Sequence, residues 1–364
     1  MMEVNIWIIS RFDGSIVTFS TSSAWEINRD YLTNEKSSFS LDNAYNAEKG
    51  DFILAKAERH TNVSGFYDMS SSIPILFLGV IDAFEDGKII ACDIYNLANF
   101  DIAATKKTGS SFEGHILTLL QYYFLNDTSK MPGIIQISRD TTINTAHSYQ
   151  PQDNPTATNL VEYLINGFKK YNTVWEVANL TYNESNKLII QTEIRTKTRS
   201  VRLKNNAYDF ANWDVYVTPV GRDLENKLLI VPVGMNNSES PTILSTWYLT
   251  MNGELTQSIN DSVYLPTKTK INVYDTSQTD KPSYLEVAQS ELAGNSYAHE
   301  ISFNIKMDNT LLPISDLEIG LLGEIVYGDT IFRSVLTGYR FASEDKYMYL
   351  KWGHVRSTLS EILP

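Results

Sequence analysis

At 364 residues and a formal net charge of −13, the chain is long enough for about two to four compact units. A hydrophobic fraction of 43%, with 12% aromatics, excludes global disorder. The acidic excess argues against a protein that grips nucleic acid, because phosphate binding needs a basic face.

The opening residues, MMEVNIWIISRFDG, lack the basic region, long apolar run and small-residue cleavage site of a secretory signal. Apolar runs such as residues 73–81 fall far short of the ~20 residues that span a bilayer. An intracellular protein, or a particle assembled there, is expected. The single cysteine, Cys92, lies in GKIIACDIYN, which rules out an intrachain disulfide and predicts a buried, inert thiol.

The front of the chain reads as strands. VNIWIIS and GSIVTFS flank Asp13-Gly14, a two-residue hairpin signal. DFILAKAE, IPILFLGVIDAF and KIIACDIY follow, the last two joined through Glu85-Asp86-Gly87. This spacing predicts a small antiparallel barrel or sandwich. Composition then shifts. Ser110 and Glu113 stand at capping-box spacing ahead of Ile116, Leu119, Leu120, Tyr123 and Phe124 at helical intervals. A polar loop spans residues 140–158, and Leu160, Val161, Leu164 and Phe168 mark a second helix. TVWEVANLTY and KLIIQTEIRT return to strands around a turn at residues 183–186.

The last part is again β-rich, with WDVYVTPV, KLLIVPVG, TWYLTMNGEL, HEISFNIKM and the run from residue 319 to the end. One helix interrupts it: Ser283 and Glu286 form a capping box, Leu285, Ala288 and Leu292 share one side, and Gly294 stops it. An internal echo is visible. Gly79 precedes Glu85-Asp86 at the same offsets as Gly338 precedes Glu344-Asp345, each inside a strand–turn–strand segment with a further β segment upstream. Two hairpins built from the same turn chemistry would look this way, and so would two related barrels in one chain.

The fold class expected is α+β and mainly β, with two related small antiparallel β-barrels separated by α+β units. The boundaries are 1–105 for a first β-barrel, 106–205 for an α+β middle domain, and 206–255 with 298–364 for a second β-barrel. Residues 256–297 form a small inserted α+β unit.

No motif for a known mechanism is present: no nucleophile elbow, zinc-binding pair of histidines, Cys pair, Walker loop or dinucleotide fingerprint. The five histidines, His60, His115, His147, His299 and His354, are scattered and read as structural or surface residues. The Glu-Asp pairs at 85–86 and 344–345 sit in turns, where they cannot oppose each other across a cleft as glycosidase acids must. In the closing stretch KWGHVRSTLSEILP, His354 and Arg356 would share one strand face and Ser357 the other, the pattern of a final strand rather than a triad. No catalytic residue, metal site or cofactor is predicted.

One cluster contrasts with its acidic setting. EIRTKTRSVRLK puts Arg195, Lys197 and Arg199 on one strand face by period-two alternation, with Arg202 and Lys204 just beyond. A solvated strand face is one reading. Docking onto an acidic neighbour, including another copy of this chain, is a second, which makes these five residues a candidate interface. Nucleic-acid binding is third, since the interleaved aromatics of single-strand platforms are missing.

SELAGNSYAHEISFNIKMDNTLLPISDLEIGLLGEIV, followed by SVLTGYRF and KWGHVRSTLSEIL, resembles the closing section of phage tail hub proteins. These are the tail-tip or tail-associated proteins of siphophages, similar to the baseplate hub of contractile phages and the hub of type VI secretion spikes. FLGVIDAFEDGKIIACDIYNLANF resembles the family's first barrel and its exit, so the resemblance runs nearly full length. It implies a non-enzymatic, structural virion protein at the distal end of the tail. It implies a homotrimer whose two barrels per chain make a pseudo-sixfold ring that closes or continues the DNA channel. The implied neighbours are a distal tail protein hexamer or the tail tube, the tape measure protein and receptor-binding proteins. DNA would pass without specific binding, and no small-molecule substrate is implied. Many relatives continue into a cell-wall hydrolase or carbohydrate-binding arm, whereas this sequence stops at Pro364, as a short form or a piece of a longer protein would. A peptidoglycan hydrolase and a host-carbohydrate-binding module are the alternative functions.

Overall fold

The computed structural model describes residues 3–31, 35–41, 46–57, 74–103, 111–126, 133–145, 157–183, 185, 187–206, 208–218, 220–234, 242–263, 265–277, 279, 281–353 and 355. His60, His147, His354, Arg356, Ser357 and Ser110 lie outside these residues.

Seven strands open the fold: β1 (Val4–Ile9), β2 (Ile16–Ser22), β3 (Trp25–Asp30), β4 (Lys36–Ser40), β5 (Phe52–Ala57), β6 (Ile75–Glu85) and β7 (Lys88–Asp93). β1 and β2 form the expected hairpin around Asp13-Gly14, but through a longer turn, residues 10–15, than the two-residue one expected. β6 and β7 turn through Asp86 and Gly87, both at positive φ, which matches the right-handed strand twist. β1 does not alternate because it is buried on both faces. Ile6 and Ile8 join one core, and Trp7 and Ile9 join another.

The middle section holds β8 (Asp101–Ala103), α1 (Phe112–Leu120), β9 (Ile135–Arg139), β10 (Ala157–Asn159), α2 (Leu160–Tyr171), β11 (Thr173–Tyr182) and β12 (Leu188–Thr196). The cap of α1 differs from expectation by one residue. Ser111 accepts from the Gly114 N–H, while Glu113 is buried and accepts from Thr145 and Thr196. Burial pushes Glu113 toward its neutral form, but those hydrogen bonds outweigh it and its pKa is lowered.

Next come β13 (Ser200–Lys204) and β14 (Phe210–Val217). β15 (Lys227–Pro232), β16 (Ser245–Leu249), β17 (Leu255–Thr256) and β18 (Thr269–Tyr274) precede α3 (Tyr284–Leu292). The chain closes with β19 (His299–Lys306), β20 (Leu322–Tyr327), β21 (Thr330–Ala342) and β22 (Tyr347–Gly353). β15 and β16 were expected in the second barrel, but they pair with β17 and β18 in a separate four-stranded sheet. Strand pattern reveals that a segment is extended, not which partner takes its hydrogen bonds. On α3 the Ser283–Glu286 capping box forms as expected. Leu285 is exposed, and Val287 replaces it in the buried stripe with Ala288 and Leu292.

The front and back strands are not two isolated units. They hydrogen-bond into one thirteen-stranded sheet, in the order β14-β19-β22-β21-β3-β4-β7-β6-β5-β1-β2, with β20 also on β21 and β13 on β20. The described pairings form an open path, with β2 and β14 at its ends. Five strands of each half repeat one topology. β3 to β7 lie in the spatial order β3-β4-β7-β6-β5, and β14 with β19 to β22 lie as β14-β19-β22-β21-β20. The two halves share one core, in which Ile27, Phe39 and Phe77 meet Phe303, Phe341 and Trp352. The other face of β1, β5 and β6 packs Trp7, Phe52 and Leu78 against Ile116, Leu120 and Trp175 of the middle section.

Candidate assembly site

The basic stripe is where sequence placed the functional residues, and the structure splits it. Arg195 lies on β12, which ends at Thr196, while Arg202 and Lys204 lie on β13. Lys197 and Arg199 fall in the irregular link between them, so Arg195, Lys197 and Arg199 do not share a strand face. The Lys197 side chain is buried and bonds both Glu176 and Glu318, the latter at 2.8 Å. Arg199 pairs with Asp316, Arg202 lies 3.8 Å from Glu324, and Arg195 lies 3.4 Å from Glu176. Lys204 is exposed. Four of the five positive charges thus face acids of the same chain. Those of Lys197, Arg199 and Arg202 tie this link and β13 to the β20 region.

A second polar knot, missed by sequence reasoning, lies where the two halves meet. Arg29 on β3 donates to the Asp93 carboxylate at 2.6 Å and to the Tyr339 hydroxyl at 3.1 Å. Burial alone would pull the Arg29 pKa down, but Asp93, Tyr339 and Tyr95 hold it well above its ordinary value. Burial pushes Tyr339 upward, so its hydroxyl stays protonated. These residues are far apart in the chain and on three different strands or turns. The β3·β4 and β4·β7 pairings bring Asp93 to Arg29 and the β21·β3 pairing brings Tyr339, which is why no local pattern announces them. Beside them is a cavity of about 210 Å³, lined by Tyr31, Ile165, Phe168, Trp175 and Leu317 among others.

No catalytic constellation emerges among the described residues. His115 is buried against the Tyr163 hydroxyl at 2.8 Å, and His299 against Ser334 Oγ at 2.8 Å. Burial lowers the His299 pKa to about 4, so the ring is neutral near pH 7. No group of three or more metal-binding side chains converges among the described residues. Cys92 is buried, and burial raises its thiol pKa, as expected of an inert cysteine.

The sheet, in contrast, leaves strand edges bare among the described residues. β14 ends the strand path with one bare edge among the described residues, and the end of β6 carries exposed Phe84. Unpaired edges of this kind are templates for another strand.

No protein-family model matches the sequence, and no curated protein does. Folds are another matter, because layers and strand order persist after sequence has drifted. The chain has a mainly β fold similar to that of a phage baseplate chain and of a prophage tail protein. It superposes on the prophage tail protein gp18 from Listeria monocytogenes with a TM-score of 0.52 and 10% identity, covering 99% of this chain and 97% of that one. It is similar over 98% of its length to all of a chain of the phage P2 baseplate in its activated conformation with Ca, at a TM-score of 0.51 and 13% identity.

Proposed function

We propose that this protein is a structural component of a phage tail, a baseplate or tail-tip hub that works by assembly rather than by catalysis. The observation that carries the reading is the repeated five-strand topology, held within a chain whose whole length follows a tail-protein fold. A chain with two equivalent sheet modules can place six in a ring with three copies, matching a hexameric tail tube or distal tail ring above it. The open sheet path supports this, since its module edges are left to be covered by other copies. The two expected barrels would then close in the assembly, with the tape measure protein and receptor-binding proteins as further neighbours.

A net charge of −13 suits a channel that DNA must traverse without sticking. The exposed Lys204 and half-paired Arg202 remain available to an acidic neighbour in the particle. Light scattering on the purified chain should give the mass of a trimer, and a hexameric tail ring should co-purify with it. A protein that stays monomeric at high concentration and binds no tail ring would overturn the reading. So would a clearing band on cell-wall zymograms from these 364 residues.

A further inference from the structure

The two long strands, β6 and β21, are used alike up to one difference. Residues 75–80 of β6 pair with β5, and residues 79–85 pair with β7 on the other side. Likewise residues 330–335 of β21 pair with β20, and residues 336–340 with β22. On the edge that β20 leaves, residues 338–342 of β21 then accept β3 in antiparallel register. The matching edge of β6, residues 82–85, receives no strand among the described residues. β14, the counterpart of β3, is bare on its own outer edge there.

Cross-strand partners put the two halves in register. Ile89 and Met348 are the buried second residues of β7 and β22. Ile89 faces Phe39, which faces Trp25; Met348 faces Ile305, which faces Phe210. Trp25 and Phe210 are therefore equivalent. One residue beyond Ile89 and Met348, Ile90 faces Ala83 and Tyr349 faces Arg340. Phe84 is therefore the equivalent of Phe341. Their surroundings differ: Phe341 is 1% exposed and sits edge-to-face on Trp25 at 5.7 Å, while Phe84 is 48% exposed. On the other bare edge, Phe210 packs on Trp213 at 5.4 Å, and Tyr216 and Val217 are exposed.

We infer that residues 82–85 of β6 in one copy pair antiparallel with β14 of a second copy, reproducing between chains the β21·β3 junction within each chain. Phe84 then packs on the half-buried Trp213 of the neighbour, beside Phe210, as Phe341 packs on Trp25. Ala83 faces Asp214, as Arg340 faces Asn28. The acidic end of β6 tolerates the approach because Lys36 and Lys49 already neutralise Asp82, at 2.6 and 3.0 Å. The two edges are different surfaces, so the contact is heterologous and propagates head to tail until a ring closes.

The inference rests on the assembly reading above, and its test separates the two. The full-length chain is compared with Phe84→Asp by light scattering. Chains carrying Ala83→Cys are separately mixed with chains carrying Asp214→Cys, oxidised and run on non-reducing gels. Facing residues of an antiparallel pair lie ~4.5–5.5 Å apart at Cα, within disulfide reach. The expected result is loss of the oligomer mass in Phe84→Asp with its melting transition retained, and a linked dimer only when both cysteine chains are present. An oligomer that survives Phe84→Asp and yields no cross-link removes the junction and leaves the assembly reading standing. A wild-type chain that stays monomeric removes both.

Discussion

The two halves of the sheet share a strand order but not a way of meeting their surroundings. The first half docks on the middle section through apolar packing, with Trp7, Phe52 and Leu78 against Ile116 and Leu120. The link entering the second half is held by charge, through Lys197 to Glu176 and Glu318 and through Arg199 to Asp316. The same fold module can therefore be anchored by area or by ion pairs. The choice decides which anchor responds to salt and which to truncation of a side chain.

The sharpest way to break the comparison is to truncate its matched aromatics in the isolated chain. Phe341→Ala should cost about 3–5 kcal/mol, as for other buried Phe deletions, whereas Phe84→Ala should change stability by less than about 1 kcal/mol. Urea unfolding of both variants at a dilution where copies do not associate checks this, and equal losses would sink the contrast between their surroundings.

His299 belongs to the second half, and its pH dependence comes next in size. Its pKa is pulled from 6.5 to about 4 by burial, so the unfolded state takes up a proton that the native state refuses between those values. Its contribution is complete above pH 6.5 and is lost as pH falls toward 4, by at most about 3 kcal/mol. Urea midpoints followed down through that range should fall further for the wild type than for His299→Gln.

The charged anchor is tested by Lys197→Met, which leaves Glu176 and Glu318 facing each other without their cation. Because both carboxylates keep some solvent contact, the loss expected is about 2 kcal/mol, below that of a fully buried pair. Arg202→Ala should move stability by less than about 0.5 kcal/mol, since its pair is long and exposed. A smaller effect than that of Lys197→Met belongs to the insertion that only the second half carries. Ser283→Ala should cost about 1 kcal/mol through the lost cap. Hydrogen exchange should speed up in α3 and leave β3 to β7 unchanged.

Local chemistry was legible. The hairpins at Asp13-Gly14 and Asp86-Gly87, the helical stripes around Ile116 and Leu160 and the cap at Ser283 follow from turn geometry and periodicity. The glycine echo pointed to a true topological repeat, yet Gly79 and Gly338 are not its equivalent positions. Bulges fall at Ile81/Ala83 in one hairpin and at Leu336/Gly338 in the other. Gly79 therefore faces Asp93, whereas Gly338 faces Lys351, the counterpart of Cys92. A bulge shifts register by one residue without changing the hydrophobic pattern enough to be read. The basic stripe was legible as charge, but its partners Glu176, Asp316, Glu318 and Glu324 were not. Ion pairing is decided by which strands lie side by side.

By itself the sequence determined a mainly β chain with local turns, caps and apolar faces, because these depend on neighbours within a few residues. Its order of segments also sufficed to suggest the tail-hub resemblance. Only the tertiary structure decided that front and back strands join in one sheet, that β15 and β16 leave it, and that Arg29 meets Asp93 and Tyr339. It also decided that Phe341 is covered while its counterpart Phe84 is not. The reason is that a strand's backbone donors and acceptors are identical along every strand, so partner choice is made by the packing of side chains remote in sequence.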